Sequence, residues 1–440
     1  MIKPCIAIFL LLSAIAGHSQ KTIKPDTAAM MSRIRFFASP GNAGRLPGHE
    51  GYNQCSKYAA EYFEELKYFP FAGKTWYQNF TIEMNEISDH AMTLIAGNEK
   101  HPLVPGSDYT CRGFTGSGKC LSEIVYCGYG LSQPDDGYDD YAGADVKGKT
   151  VMIFKQNPAW QIKGISWSGS SIRYKVSVAK EHGACAVIFV NTPSSGRTQP
   201  IASQLDGDND PIGDIPAFEI STEKANFILG FKGTSIADLQ SKTDTLQIPR
   251  SFSTGVTAYV AVTARYTPEA NTQNVIACIP GNDPQLKNEY VLITAHLDHV
   301  GFQGKELYYP GANDNASGSA IVMEVASMWR KSKIKPARTV VFVLFSCEEH
   351  GLDGARFLAD HFPGDINKVV SILNIDCAGH GDSLSAGGGK STPGLWETAI
   401  SFADGRAFSK RTWYGGGADA QPFFEKGVPA LYFATLNSYT

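Results

Sequence analysis

Four short runs of almost uninterrupted apolar, largely β-branched residues set the strongest constraint on how this chain can fold. They are Asn274 to Ile279, Tyr290 to Thr294, Thr339 to Phe345 and Val369 to Ile375. A strand with one wet face alternates apolar and polar residues. These runs do not, so both of their faces must be covered, as in buried parallel strands. Between them lie amphipathic segments with helical spacing, notably Ser317 to Lys331 and Gly354 to His361. Strands alternating with helices predict an α/β domain on a mixed or parallel sheet.

Three of the runs lead into a potential metal ligand. Tyr290 onward reaches His296-Leu297-Asp298-His299, Thr339 onward reaches Ser346-Cys347-Glu348-Glu349-His350, and Val369 onward reaches Asp376. Ligands and catalysis collect outside the carboxyl ends of strands in open α/β sheets. Asp314 is a fourth candidate, in the Gly311-to-Gly318 loop that opens a helix. Each has a plainer alternative: a satisfied histidine, a helix cap at Asp314-Asn315, a solvated Glu348-Glu349 pair, a turn former at Asp376. Their coincidence favours a metal, because several carboxylates buried together without a cation are expensive. Imidazole and carboxylate suit zinc, and manganese or cobalt could take the same ligands. Asp314 could bridge two ions, as in two-metal hydrolytic sites. Asp298 faces the same way as His296 and could orient its far ring nitrogen. One of Glu348 and Glu349 can bind metal while the other takes a proton from water.

The remainder of the chain is read more coarsely. Residues 1–20 resemble a signal peptide, with Lys3 before the apolar run Ile6 to Ala16 and small polar residues to Gln20. The expectation is a secreted or periplasmic protein with no membrane span once the signal is cleaved. Helical patterns at Met30 to Phe37 and Tyr52 to Tyr68 flank a glycine-marked turn at Gly44-Arg45-Leu46-Pro47-Gly48. Residues 21–107 read as the first part of the catalytic domain and 108–252 as an inserted module of short strands and Gly/Ser/Asp loops. Residues 253–440 form the rest of the catalytic domain. A net charge of -4, with no long Lys/Arg run, argues against nucleic acid as a partner. Of the nine cysteines, Cys5 leaves with the signal. Cys111, Cys120 and Cys127 could supply one disulfide, whereas Cys185, Cys278, Cys347 and Cys377 read as buried small hydrophobes. Cys55 falls in a helical pattern with no obvious partner. No C-x-x-C pair points to thiolate zinc.

Taken together, NVIACIPG, YVLITAHLDHVG, GANDNASG, TVVFVLFSCEEHGL and ILNIDCAG resemble the co-catalytic di-zinc exopeptidases that include secreted leucyl aminopeptidases, aminopeptidase Y and glutamate carboxypeptidase. GRLPGHEGYNQCSKYAAEYFEEL is a weaker match to the same family. ADVKGKTVMIF, AKEHGACAVIFVNT and IPAFEIS resemble the protease-associated (PA) domain often inserted in them. The resemblance implies a phosphorylase/hydrolase-like, largely parallel sheet flanked by helices, with an inserted α+β PA domain. It implies two zinc ions per chain and no cofactor beyond metal. His296 and Asp376 would hold one zinc, Asp314 both, and Glu349 the other, with Glu348 as general base and Asp298 behind His296. The implied reaction is attack of a zinc-bound hydroxide on a terminal bond of a peptide substrate. A carboxypeptidase or dipeptidase of the family and a non-catalytic, receptor-like protein on the same fold are the alternatives.

The sequence departs from the family pattern in two places. The family's fifth ligand, a histidine after the last strand of the sheet, has no counterpart before Thr440, and the expectation is a truncated chain or an incomplete second site. The family's Ser-Asp-His reads Ala418-Asp419-Ala420. Trp160, Trp167, Trp413 and Tyr414 are candidates to line a substrate pocket. Oligomeric state and the residue preferred at the cleaved bond leave no signature in the sequence.

Overall fold

On the strand Thr339–Phe345, Val340, Phe342 and Leu344 enter one hydrophobic cluster while Val341, Val343 and Phe345 enter another. Successive side chains point to opposite faces of a strand, so an unbroken apolar run needs a core on each side. The computed structural model describes residues 23–161, 167, 170–205, 214–305, 307–403, 412 and 414–436. The expected signal segment 1–20 and Trp413 lie outside the described residues. These fall into two compact units.

The first unit comprises residues up to Ile82, Glu269–Gly301 and Tyr309 onward. Its central strands run in the order Leu384–Gly387, Ala430–Thr435, Val369–Ile375, Tyr290–His296, Thr339–Phe345 and the end of Ser251–Ile279. The inner four are mutually parallel, and antiparallel strands close both edges. This is the mixed, largely parallel sheet expected from the apolar runs. Helices Thr27–Phe37, Glu50–Glu65 and Gly318–Ser332 supply Phe37, Phe63 and Met323 to one face, where the rings of Phe63 and Tyr68 stack on Phe342. Asp353–Asp360 and Gln421–Glu425 cover the other with Leu358 and Phe423. Because the inner strands are parallel, His296, the Glu348-Glu349 turn and Asp376 emerge at one edge.

The second unit spans Glu83–Pro268 and takes in Phe302–Tyr308. The inserted module was expected over 108–252. The difference arises because the strands Tyr77–Ala96 and Ser251–Ile279 are long, and their polar–apolar alternation gives no composition break where they leave one core for another. Gln303 shows why residues so late in the chain belong here: its amide accepts from the Cys111 N–H at 2.8 Å and donates to the Cys111 carbonyl at 2.7 Å. Gly118–Cys127, Thr150–Phe154, Ala186–Val190 and Ala217–Ile220 form a parallel array, with Tyr109–Cys111 antiparallel at its edge. Glu219, fully buried, is paired with Arg112 and Lys155 and accepts from Asn191, so its charge is matched inside the unit. Trp160 and Trp167 pack edge-on with Tyr138, and both indole N–H groups are satisfied, by Asp244 and by the Trp160 carbonyl. They are core residues of this unit rather than pocket walls.

The cysteine expectation is corrected. Cys120 is bonded to Cys185, while Cys111 and Cys127 are free and buried. Thr150 pairs with both Ile124 and Ala186, so the parallel order brings the starts of two distant strands together. Sequence proximity within 111–127 carried no information about that. Closing a loop of 65 residues restricts the unfolded chain. We therefore expect Cys185→Ser to cost roughly 2–4 kcal/mol. A non-reducing peptide map should recover 120 linked to 185, and thermal denaturation should read the loss.

Candidate active site and metal centre

The buried guanidinium of Arg45 organises the loops around the sheet edge. Its Nε donates to the Leu297 carbonyl at 2.7 Å, and its Nη atoms donate to Phe37, Pro310 and Gly311 at 3.0, 2.7 and 2.8 Å. One side chain thus ties the segment after His296 to the loop before Asp314. Arg45 can do this because the turn that carries it has positive φ at Ala43, Gly44 and Arg45. A Cβ on Gly44 would sit 2.0 Å from the Gly301 oxygen, so glycine alone allows that approach.

His296 ends its strand fully buried, and Ser319 donates to its carbonyl at 2.7 Å. Its Nε2 lies 3.2 Å from Asp314 Oδ1, 3.3 Å from Asp376 Oδ1 and 3.9 Å from Glu348 Oε2. Burial works against the protonated ring, but Glu348, Asp376, Asp298 and Asp314 outweigh it and raise its pKa well above the ordinary value. Asp314 shows the converse. Burial pushes it up, yet the hydrogen bond and charge of His296, with His299 and Arg45, bring it down to about 2. Asn315 fastens this loop, donating to the Ile375 carbonyl at 2.9 Å and accepting from Gly318 N–H at 2.9 Å. The reading of this segment as a helix cap therefore holds for Asn315, leaving the Asp314 carboxylate to the site.

Asp298 lies beside the far ring nitrogen of His296, as expected, and makes a second set of contacts. Its carboxylate is 3.6 Å from His296 Nδ1, whose shorter contact is with the Asp298 carbonyl at 3.2 Å. The carboxylate also accepts the Glu348 and Glu349 N–H groups at 3.2 and 3.4 Å. It lies behind His296 and also holds the two glutamates in register, a contact that no spacing of two residues reveals.

Two trios have donor atoms within 4.8 Å of one another among the described residues: His296, Asp314 and Asp376, and His299, Asp314 and Glu349. Asp314 belongs to both, as expected of a bridging carboxylate. Glu348 stands beside them, its pKa raised well above the carboxylate range by burial, with Asp419, Glu349 and Asp376 adding to the rise and His296 opposing it. Sequence reasoning passed over three neighbours. His299 Nδ1 is 2.6 Å from Glu349 Oε1. Tyr432 donates to Asp376 Oδ2 at 3.2 Å. Asp419 is fully buried with no hydrogen-bond partner among the described residues for either carboxylate oxygen, and burial raises its pKa strongly. His299 left a sequence signal as the second histidine of His-Leu-Asp-His, and Asp419 as the middle of Ala418-Asp419-Ala420, whereas Tyr432 left none. The donor set fits divalent cations. It provides imidazole and carboxylate in converging groups of three, and an otherwise uncompensated collection of buried acids that positive charge would relieve.

Residues 274–440 match the profile of Peptidase family M28, and residues 102–228 match the PA domain. Over these two stretches the chain has the sequence pattern of peptidase family M28 and of a PA domain. It is 26% identical to Aminopeptidase YwaD of Bacillus subtilis over 306 residues, covering 68% of this chain and 55% of that protein. A probable leucine aminopeptidase of Trichophyton verrucosum is 29% identical over 126 residues, covering 28% of this chain and 34% of the relative. The chain thus spans about half the length of YwaD and less of the fungal protein. Among solved structures, an aminopeptidase from Aneurinibacillus sp. strain AM-1 superposes with a TM-score of 0.63 at 22% identity, over 94% of this chain and 86% of that one. BSAP, a zinc aminopeptidase from Bacillus subtilis, gives 0.60 at 20% identity over the same shares. At these identities the structural likeness establishes the fold.

Replacing Arg45 tests whether the loops depend on it. Lysine has at most three donors and no planar fork, so Arg45→Lys leaves buried carbonyls short of partners. We expect a loss on the order of 3 kcal/mol in urea denaturation, with metal affinity falling alongside.

Proposed function

We propose that this chain is an exported zinc-dependent aminopeptidase that removes amino-terminal residues from peptides. The observation that carries the reading is the pair of donor trios sharing Asp314, with Glu348 alongside. The names of the aminopeptidase relatives support the choice of substrate end, and the Lys3 and Ile6-to-Ala16 pattern supports export.

His296 and Asp376 would hold one zinc, Asp314 would contribute to both, and Glu349 would serve the second. The chemistry supplied by bound zinc is Lewis-acid polarisation of the scissile carbonyl and a lowered pKa for the attacking water. Glu348, which belongs to neither donor trio, would accept the water's proton and return it to the departing amine. Asp298 keeps that carboxyl aimed through the Glu348 and Glu349 N–H groups. Tyr432 fixes Asp376 through its second oxygen.

Glu348→Gln keeps the shape and removes the base. It should lower kcat on leucyl p-nitroanilide by about 10²–10⁴-fold with zinc content unchanged. Unchanged turnover would reject Glu348 as the base. A wild-type protein that binds zinc but cleaves no peptide would favour the receptor-like alternative. Cleavage of N-blocked but not free-amine peptides would assign the protein to the carboxypeptidase class. Removing the metal should also destabilise the fold, since ions bound to the native state alone stabilise it by mass action. Dialysis against a chelator should lower Tm, and zinc should restore it.

A further inference from the structure

We infer that Asn274 is a positioning residue for Glu348, fixing the turn that carries both glutamates from the side opposite Asp298. The inference rests on the reading of Glu348 as the base and adds to it what holds that base in place.

Asn274 is a polar residue at the head of an apolar run. It is fully buried beside Val275, whose partner across the sheet is Leu344. A buried amide costs free energy unless its hydrogen-bonding groups are used. Here both amide hydrogens and the oxygen are used. The Asn274 Oδ1 accepts the Ser346 N–H at 3.0 Å, and Nδ2 donates to the Gly354 carbonyl at 2.9 Å and to Gln78 Oε1 at 3.1 Å. The Gly354 N–H in turn donates to the Ser346 carbonyl at 3.1 Å. Ser346 and Gly354 are thus tied to each other and to one side chain. They form the neck of a loop whose interior holds Glu348 and Glu349.

Backbone conformation shows why that neck needs tying. Cys347 and Leu352 have φ of +61° and +66°. Residues with side chains persist there only where their surroundings over-determine them. The sheet order supplies those surroundings, because Thr339–Phe345 lies between Tyr290–His296 and the end of Ser251–Ile279. Asp298, just past the first neighbour, accepts the N–H groups of Glu348 and Glu349. Asn274, on the second neighbour, closes the neck. Gly354 fits the same account, since a Cβ there would lie 2.5 Å from Asn274 Oδ1 and 2.1 Å from the Ser346 oxygen.

A plainer role would be general stabilisation of the fold. Asn274→Ala removes the tie, and Gly354→Ala forces the neck apart while leaving the amide in place, so either variant that folds by circular dichroism puts the question. Hydrogen–deuterium exchange is followed by mass spectrometry on the full-length protein without added metal, and turnover of leucyl p-nitroanilide after dialysis against zinc. Amides of residues 346–354 should exchange at least about 10-fold faster, with those of Tyr290–His296 and Val369–Ile375 unchanged. The kcat should fall about 10–100-fold with KM within about twofold. Placed on Glu348→Gln, either substitution should cost less than about threefold more, since a base already removed cannot be misplaced. Unchanged exchange over 346–354 would overturn the inference. Faster exchange in all three segments, or an equal loss of kcat in both backgrounds, would make Asn274 a general stabiliser and overturn it too. A wild type that cleaves no peptide would reject the exopeptidase reading instead, and the exchange comparison would still decide whether Asn274 holds the turn.

Discussion

A single buried guanidinium sets the geometry on which the candidate metal site depends. Arg45 reaches carbonyls that belong to three separate segments: the end of the first helix, the chain after His296 and the loop before Asp314. A charged group taken from water must recover its hydrogen bonds inside the protein. Here that requirement leaves those loops little freedom, because the planar fork fixes the direction of each carbonyl. Burial lowers the pKa of Arg45, and nearby Asp298, Asp314 and Glu349 oppose the shift. The same residue is therefore both a structural tie and a positive charge behind a cluster of acids.

The acids then impose the second constraint. Glu348 and Asp419 are both driven toward their neutral forms by burial, while His296 is driven toward its charged form chiefly by Glu348 and Asp376, and Asp314 toward its own by His296. Such opposed shifts in one small volume are a mark of functional sites. The sheet makes the concentration possible. Parallel inner strands end at one edge, so groups separated by tens of residues arrive together. Hydrogen bonds from Asn315, Asp298 and Tyr432 then set the direction of each arrival.

The second unit follows a different economy. It has its own hydrophobic clusters, a disulfide and a paired internal charge network around Glu219. Its strands repeat the parallel pattern, yet its buried Glu219 carboxylate is already answered by Arg112 and Lys155. The contrast with the candidate site is chemical: Glu219 is neutralised by side chains, and the acids around His296 leave an excess of negative charge that a cation can offset.

Periodicity alone determined the strands Tyr290–His296, Thr339–Phe345 and Val369–Ile375, because a strand covered on both faces must be apolar throughout. It also put His296, Glu348-Glu349 and Asp376 after the carboxyl ends of such strands, where ligands gather, with Asp314 in a helix-opening loop. Only the tertiary structure decided that Asp298 also holds Glu348 and Glu349, that His299 meets Glu349, that Asp419 is buried against the cluster and that Cys120 joins Cys185. Each of these relations links segments far apart in the chain or depends on the direction of a loop backbone. Local sequence records how a segment prefers to fold. Which segments then meet is settled by the packing of the whole sheet.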